Sequence, residues 1–84
     1  MTNTNNEVYI VTSDDEIMQE VITIGIAADL ETATKMCEKQ VESIKKYNKG
    51  EEFKKIQSED GLVYSGTSFY VVATPYLVRT IDMV

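Results

Sequence analysis

Two hydrophobic periods meet at Asp29, and that junction limits what the chain can become. Residues 20–27, EVITIGIA, alternate apolar and other positions with a period of two, as a half-buried strand does. From Asp29 onward Leu30, Ala33, Cys37, Val41 and Ile44 recur at steps of three and four, the spacing of one helix face, with Met36 and Tyr47 at its margins. Asp29 is a good N-cap, Lys45, Lys46 and Lys49 suit the negative end of the helix dipole, and Gly50 closes the segment. A strand turning into a long amphipathic helix predicts an α+β domain, with residues 29–49 as the helix.

A second strand precedes the first. EVYIVTS, residues 7–13, is β-branched and aromatic, with Val8, Ile10 and Thr12 on one side and Tyr9 and Val11 on the other. The spacing within 20–27 sets Ile22, Ile24 and Ile26 in one row, the expected buried face, with Gly25 on the opposite side at a bulge or close approach. Between the strands, SDDEIMQE reads as a long hairpin loop. Ser13 and Glu16 fit a capping box, so a helix over 14–21 is the competing reading. After the charged connector GEEFKKIQSEDG, residues 62–83 give further strands: LVY, the turn YSGTS, and FYVVAT, whose richness in β-formers places it centrally. Pro75 is expected to end that strand or sit on an edge. The apolar end YLVRTIDMV either adds a strand or packs on a neighbouring subunit, and residues 1–6 are expected to fray. The predicted fold is ββαββ: an antiparallel sheet of about four strands with one long helix on the isoleucine face. A helix near 30 Å long would overhang strands of about 20 Å.

An 84-residue chain is one domain with a thin core. Such domains often rely on disulfides, a metal or self-association. Cys37 is the single cysteine and there is no histidine, so neither an internal disulfide nor a zinc site is open to it. Self-association as a homodimer or higher oligomer is therefore expected, with Tyr47, Tyr76, Ile81 and Met83 as candidate contacts. No apolar run approaches the ~18 residues of a membrane span and no leader pattern opens the chain, so a cytoplasmic protein without membrane contact is expected.

Charge is uneven. Residues 1–34 hold seven acids and no lysine or arginine, whereas residues 35–57 hold seven lysines against four acids. The pattern predicts a molecule with an acidic end. A net charge of −6 excludes ordinary nucleic-acid binding, because neutralising phosphates needs excess lysine and arginine. KKYNKGEEFKK mixes basic and aromatic residues, but its glutamates fit nucleic acid poorly.

Few residue patterns carry chemistry. The strand–glycine–helix passage has the ingredients of a phosphate-binding turn, yet one glycine is too few. Asp29 and Glu31 already fill the positive end of the helix, so the passage is a corner. Asp14, Asp15, Glu16 and Glu20 lack the ligand order and central glycine of a calcium loop. Cys37 lies on the apolar helix stripe with no histidine to activate it, so it reads as a buried, inert thiol. No catalytic residue, metal ligand or cofactor site is predicted. The candidate partner interface is Asp14, Asp15, Glu16 and Glu20 together with the strand tyrosines Tyr9 and Tyr70, which offer large, stiff contact area.

VYIVTSDDE, then ITIGIAADLETATKMCEKQV and SFYVVATPYLV, resembles small accessory proteins encoded by bacteriophages and prophages. These open with an apolar strand, lead through a hydrophobic–glycine strand into an alanine-containing helix and close on an aromatic strand. The longer helix and the KKYNKGEEFKK connector depart from that pattern. The resemblance implies a non-catalytic accessory or anti-defence protein that binds and inhibits a host protein. An acidic surface suits a basic nucleic-acid-binding enzyme as that host protein. The alternative reading is a homo-oligomer that sequesters a nucleotide-like small molecule in pockets between subunits.

Overall fold

The structure is a computed structural model that describes the backbone of residues 3–81 and the side chains of residues 7–77. It contains β1 (Asn3–Asp15), β2 (Glu20–Ala27), α1 (Leu30–Tyr47), β3 (Lys54–Ser58), β4 (Gly61–Ser65) and β5 (Phe69–Ile81). The strands form one antiparallel sheet in the order β2-β1-β5-β4-β3, and α1 packs against β1, β5, β2 and β4. The sheet therefore has five strands rather than about four. The extra one is KKIQS, inside the segment expected to be a connector, and all five of its residues are exposed.

β1 and β5 are the longest strands, 13 residues each, and pair along their whole length from Asn3↔Ile81 to Asp15↔Phe69. FYVVAT is central, as its composition predicts. Residues 3–6 pair with 78–81 instead of fraying, and residues 76–81 continue β5. Strands of this length span about 43 Å, against about 27 Å for the 18-residue helix. The expected overhang is thus reversed, and the sheet outruns the helix.

Pro75 lies inside central β5, opposite Tyr9, and not at an edge or strand end. The ladder tolerates it because β4 begins beside it, with no β4 residue set opposite it. The β4–β5 register runs from Leu62↔Ala73 to Ser65↔Tyr70, and the Pro75 ring lies over Gly61, where β4 begins. No β4 carbonyl is left wanting an amide at that position.

β2 departs most from simple alternation. Its register against β1 slips between Val11 and Thr12, where Gly25 faces Val11 and Thr23 faces Thr12. Ile24 is the additional residue, so it and Gly25 both lie on the helix side. Ile24 packs on the core, and a side chain on Gly25 would meet the terminal methyl of Met36 at 2.7 Å. Ile26, beyond the bulge, faces away from the helix and is 67% exposed, while Ile22 is 52% exposed. The expected buried isoleucine row is therefore divided by the bulge, and Gly25 sits on the helix face instead of the opposite one.

The core under α1 is Val11, Ala27, Ala33, Cys37, Ile44, Leu62, Tyr64, Val71 and Ala73. Asp29 caps the helix, its carboxylate accepting from the Thr32 amide at 2.7 Å. That bond holds the Asp29 carboxyl below the usual carboxylate range. At the other end Asn48, not Gly50, is the cap. Its backbone amide and its Nδ2 both donate to the Ile44 carbonyl, at 2.8 and 3.1 Å. Gly50, at φ 94°, serves the turn that follows.

Among the described residues no element covers the opposite sheet face. Across β2-β1-β5-β4-β3 its rows read Val21–Asp14–Tyr70–Ser65–Lys54 and Thr23–Thr12–Val72–Val63–Ile56. Next come Ile26–Ile10–Thr74, and then Val8 opposite Tyr76. None of these side chains is buried.

Two glycines separate tight backbone packing from yielding side-chain packing. Gly61 has φ 126°, and a Cβ there would stand 2.3 Å from the Ala73 carbonyl oxygen, so Gly61→Ala should destabilise by roughly 2–4 kcal/mol. Gly25→Ala meets only the mobile end of Met36 and should cost less than about 1 kcal/mol. Urea unfolding of the two variants measures the contrast.

Candidate functional site

The β1–β2 hairpin turns within four residues, Glu16–Gln19, which is shorter than the long loop expected and excludes a helix over 14–21. Asp15 shapes the turn. Its Oδ1 accepts from the amides of Ile17 at 3.0 Å and Met18 at 3.1 Å, and Gln19 closes the reversal at φ 54°. The Glu16 amide donates to the Ser68 carbonyl at 2.9 Å, fastening the tip to the loop between β4 and β5. Ser13 is no helix cap. Its side chain is buried, and its Oγ accepts from Gln40 Nε2 at 3.2 Å.

This local geometry leaves Ile17 71% and Met18 68% exposed at the apex. Asp14, Glu16 and Glu20 stand around them with no ion pair to any of the three among the described residues. Tyr70 lies directly across from Asp14 on the helix-free face. Of the residues the sequence singles out, Asp14, Asp15, Glu16, Glu20 and Tyr70 therefore share one region. Tyr9 does not join them. It faces the helix side, packs against the core and donates its phenol hydrogen to Glu7 Oε1 at 2.9 Å, a bond that raises its pKa. Ile17 and Met18 were missed as contact residues because in SDDEIMQE they read as one face of a possible helix or as loop filling. Two apolar residues between acids, just after an aspartate that can bond the following amides, is the signal for an exposed apex.

The fold also rearranges the charge. α1 runs back alongside β2, and Gln40 meets Ser13 far along the helix. Glu51 Oε2 accepts from the Thr67 amide at 2.7 Å, next to the Ser68 carbonyl that holds the hairpin tip. The lysine-rich end of the helix therefore comes round to the end that carries the acidic hairpin. Glu7 and Asp29 lie toward the opposite end, near Tyr9. A single acidic end, expected from the linear sequence, does not form.

The self-association candidates also scatter. Tyr47 is 78% exposed at the end of the helix, where Lys46 Nζ lies 5.9 Å from its ring, and Tyr76 is 57% exposed on the helix-free face. The Ile81 side chain and Met83 lie outside the described residues.

Two polar groups enter the core from the helix side. Cys37 is fully buried, as expected, and burial pushes its thiol up to about 11, with Glu38 adding to the shift. Tyr64 is buried beneath the helix and donates to Glu38 Oε2 at 3.1 Å; burial first and that bond second raise the phenol well above its ordinary range. Lys55 Nζ lies 5.8 Å from the Tyr64 ring centre. These groups hold their protons and serve packing. Among the described residues no enclosed pocket is found, and no three of Asp, Glu, Cys and His stand together as a metal site. Set against known protein families, curated proteins and solved structures, the chain matches none.

The buried thiol and phenol carry a pH dependence. A thiol raised from 9.0 to about 11 keeps its proton in the folded chain where the unfolded chain has lost it. Stability should fall as pH rises from about 9 to about 11. Tyr64, raised from 10.0, extends the loss upward. Urea unfolding across this range should show a shallower alkaline decline in Cys37→Ala and in Tyr64→Phe.

Proposed function

We propose that the protein is a non-catalytic binding module that engages another protein through the apex of the β1–β2 hairpin. Ile17 and Met18 enter an apolar pocket on the partner, and the turn-flanking Glu16 and Glu20 meet a basic rim around it. The observation that carries this reading is the pair of large apolar side chains, 71% and 68% exposed, on a turn fixed by the two amide bonds to Asp15. A turn already set in shape loses little freedom on docking, so contact energy is not consumed in ordering it. Apolar anchors inside a charged rim are also the usual anatomy of a specific contact. In the form suggested by the likeness to phage-encoded proteins, the partner is a host protein with a cationic surface, such as a nucleic-acid-binding enzyme.

The test is capture from a lysate of the source cells at low and high salt, with bound proteins identified by mass spectrometry. The double variant Ile17→Ser/Met18→Ser should keep the thermal midpoint and lose the captured protein by at least about tenfold. Raised salt should weaken capture by wild type, because the rim is charged. A partner held equally well by the double variant would place binding elsewhere and end this reading.

A further inference from the structure

The sheet face opposite α1 is composed like an interior. Antiparallel sheets with one solvated side normally turn polar residues to water. Here Ile10, Ile26, Ile56, Val63, Val72 and Tyr76 point away from the helix, and Ile26, Ile56 and Tyr76 are 67%, 46% and 57% exposed. The part of the face that two copies can share, β1, β5, β4 and β3, is about 19 Å across and about 17 Å along the strands. With side-chain relief it reaches the roughly 1,000 Å² of total buried surface that a specific interface needs.

Charge identifies the occupant. Among the described residues this face holds one carboxylate, Asp14, and one ammonium, Lys54. They lie in the same register row, on either side of the β5–β4 pair. We propose that the face is covered by the same face of a second copy, in a two-fold dimer whose axis runs parallel to the strands between β5 and β4.

That operation keeps each row at its own level, exchanges β5 with β4 and β1 with β3, and leaves β2, with Ile26, beyond the partner's edge. It sets Asp14 opposite the partner's Lys54, and Lys54 opposite the partner's Asp14. In the next row Val72 meets the partner's Val63, and Ile56 meets the partner's Thr12. One axis thus neutralises both charges and joins the apolar centres. Stacked sheets lie about 10 Å apart, a gap that an aspartate and a lysine side chain reach across together. A partner of unrelated sequence would need a base and an acid placed to match; a second copy already has them.

Sedimentation equilibrium at micromolar concentration tests the proposal. The wild type should have twice the 9.5 kDa chain mass. Val72→Lys should be monomeric with unchanged far-ultraviolet circular dichroism, and Val63→Lys serves if Val72→Lys does not fold. Asp14→Lys and Lys54→Asp each oppose like charges in both pairs and should weaken the dimer by about tenfold. The double exchange Asp14→Lys/Lys54→Asp should restore it to within about threefold. A monomeric wild type, a folded Val72→Lys or Val63→Lys that stays dimeric, or a double exchange no better than the single ones would each overturn the proposal. Sedimentation reads only the mass of the chain, and Ile17 and Met18 are unchanged in every variant, so failure here and failure of the hairpin reading are distinguishable.

Discussion

The pairing of β1 with β5 is the constraint on which the rest of the structure depends. It joins the two ends of the described chain in the middle of the sheet and provides the floor on which α1 lies. Val11 from β1 and Val71 and Ala73 from β5 are all fully buried beneath the helix. β2 is added on one side of this pair and the β3–β4 hairpin on the other. The flanks contribute unequally: β2 buries Ala27, β3 buries nothing, and β4 adds Leu62 and Tyr64. This small domain thus gathers its apolar residues around one long ladder and one helix. The closing contacts are distant in sequence, so the entropy of loop closure falls early and folding should be slow for a chain of this length.

Much of this was legible in the sequence. The period change at Asp29 located both the second strand and the helix, because backbone geometry and side-chain pattern agree there. The cap was equally plain, since a carboxylate before an apolar-periodic segment has an obvious use for its oxygens. KKIQS was hidden because an edge strand with every residue exposed has no buried face to impose alternation. The isoleucine row misled because the bulge lies in the pairing, and no single strand records the slip. Pro75 was misplaced because its tolerance depends on where β4 begins, which is a property of a different segment. The candidate site was half legible: acids announce themselves, but whether Ile17 and Met18 point inward or outward is decided by the turn.

The same devices limit unwanted association. Sheet edges invite further strands unless something prevents it. On one edge β3 has Lys54 and Lys55 and is short, and on the other the bulge distorts β2. The edges are thus blunted while one face stays apolar, a combination that favours stacking over lateral growth. A two-fold axis parallel to the strands would also leave both hairpin apices at one end of the pair, so the dimer could grip a repeated or symmetric target twice.

The order of synthesis gives the long ladder a further meaning. The strand at the middle of the finished sheet is made after the other four. Until residues 69–81 emerge, nothing joins the β1–β2 hairpin to the β3–β4 hairpin beneath α1, and Val11 lacks its β5 neighbour. The nascent chain must therefore wait, with its future interior wet, and truncation within the final strand would remove the keel and not merely the stern.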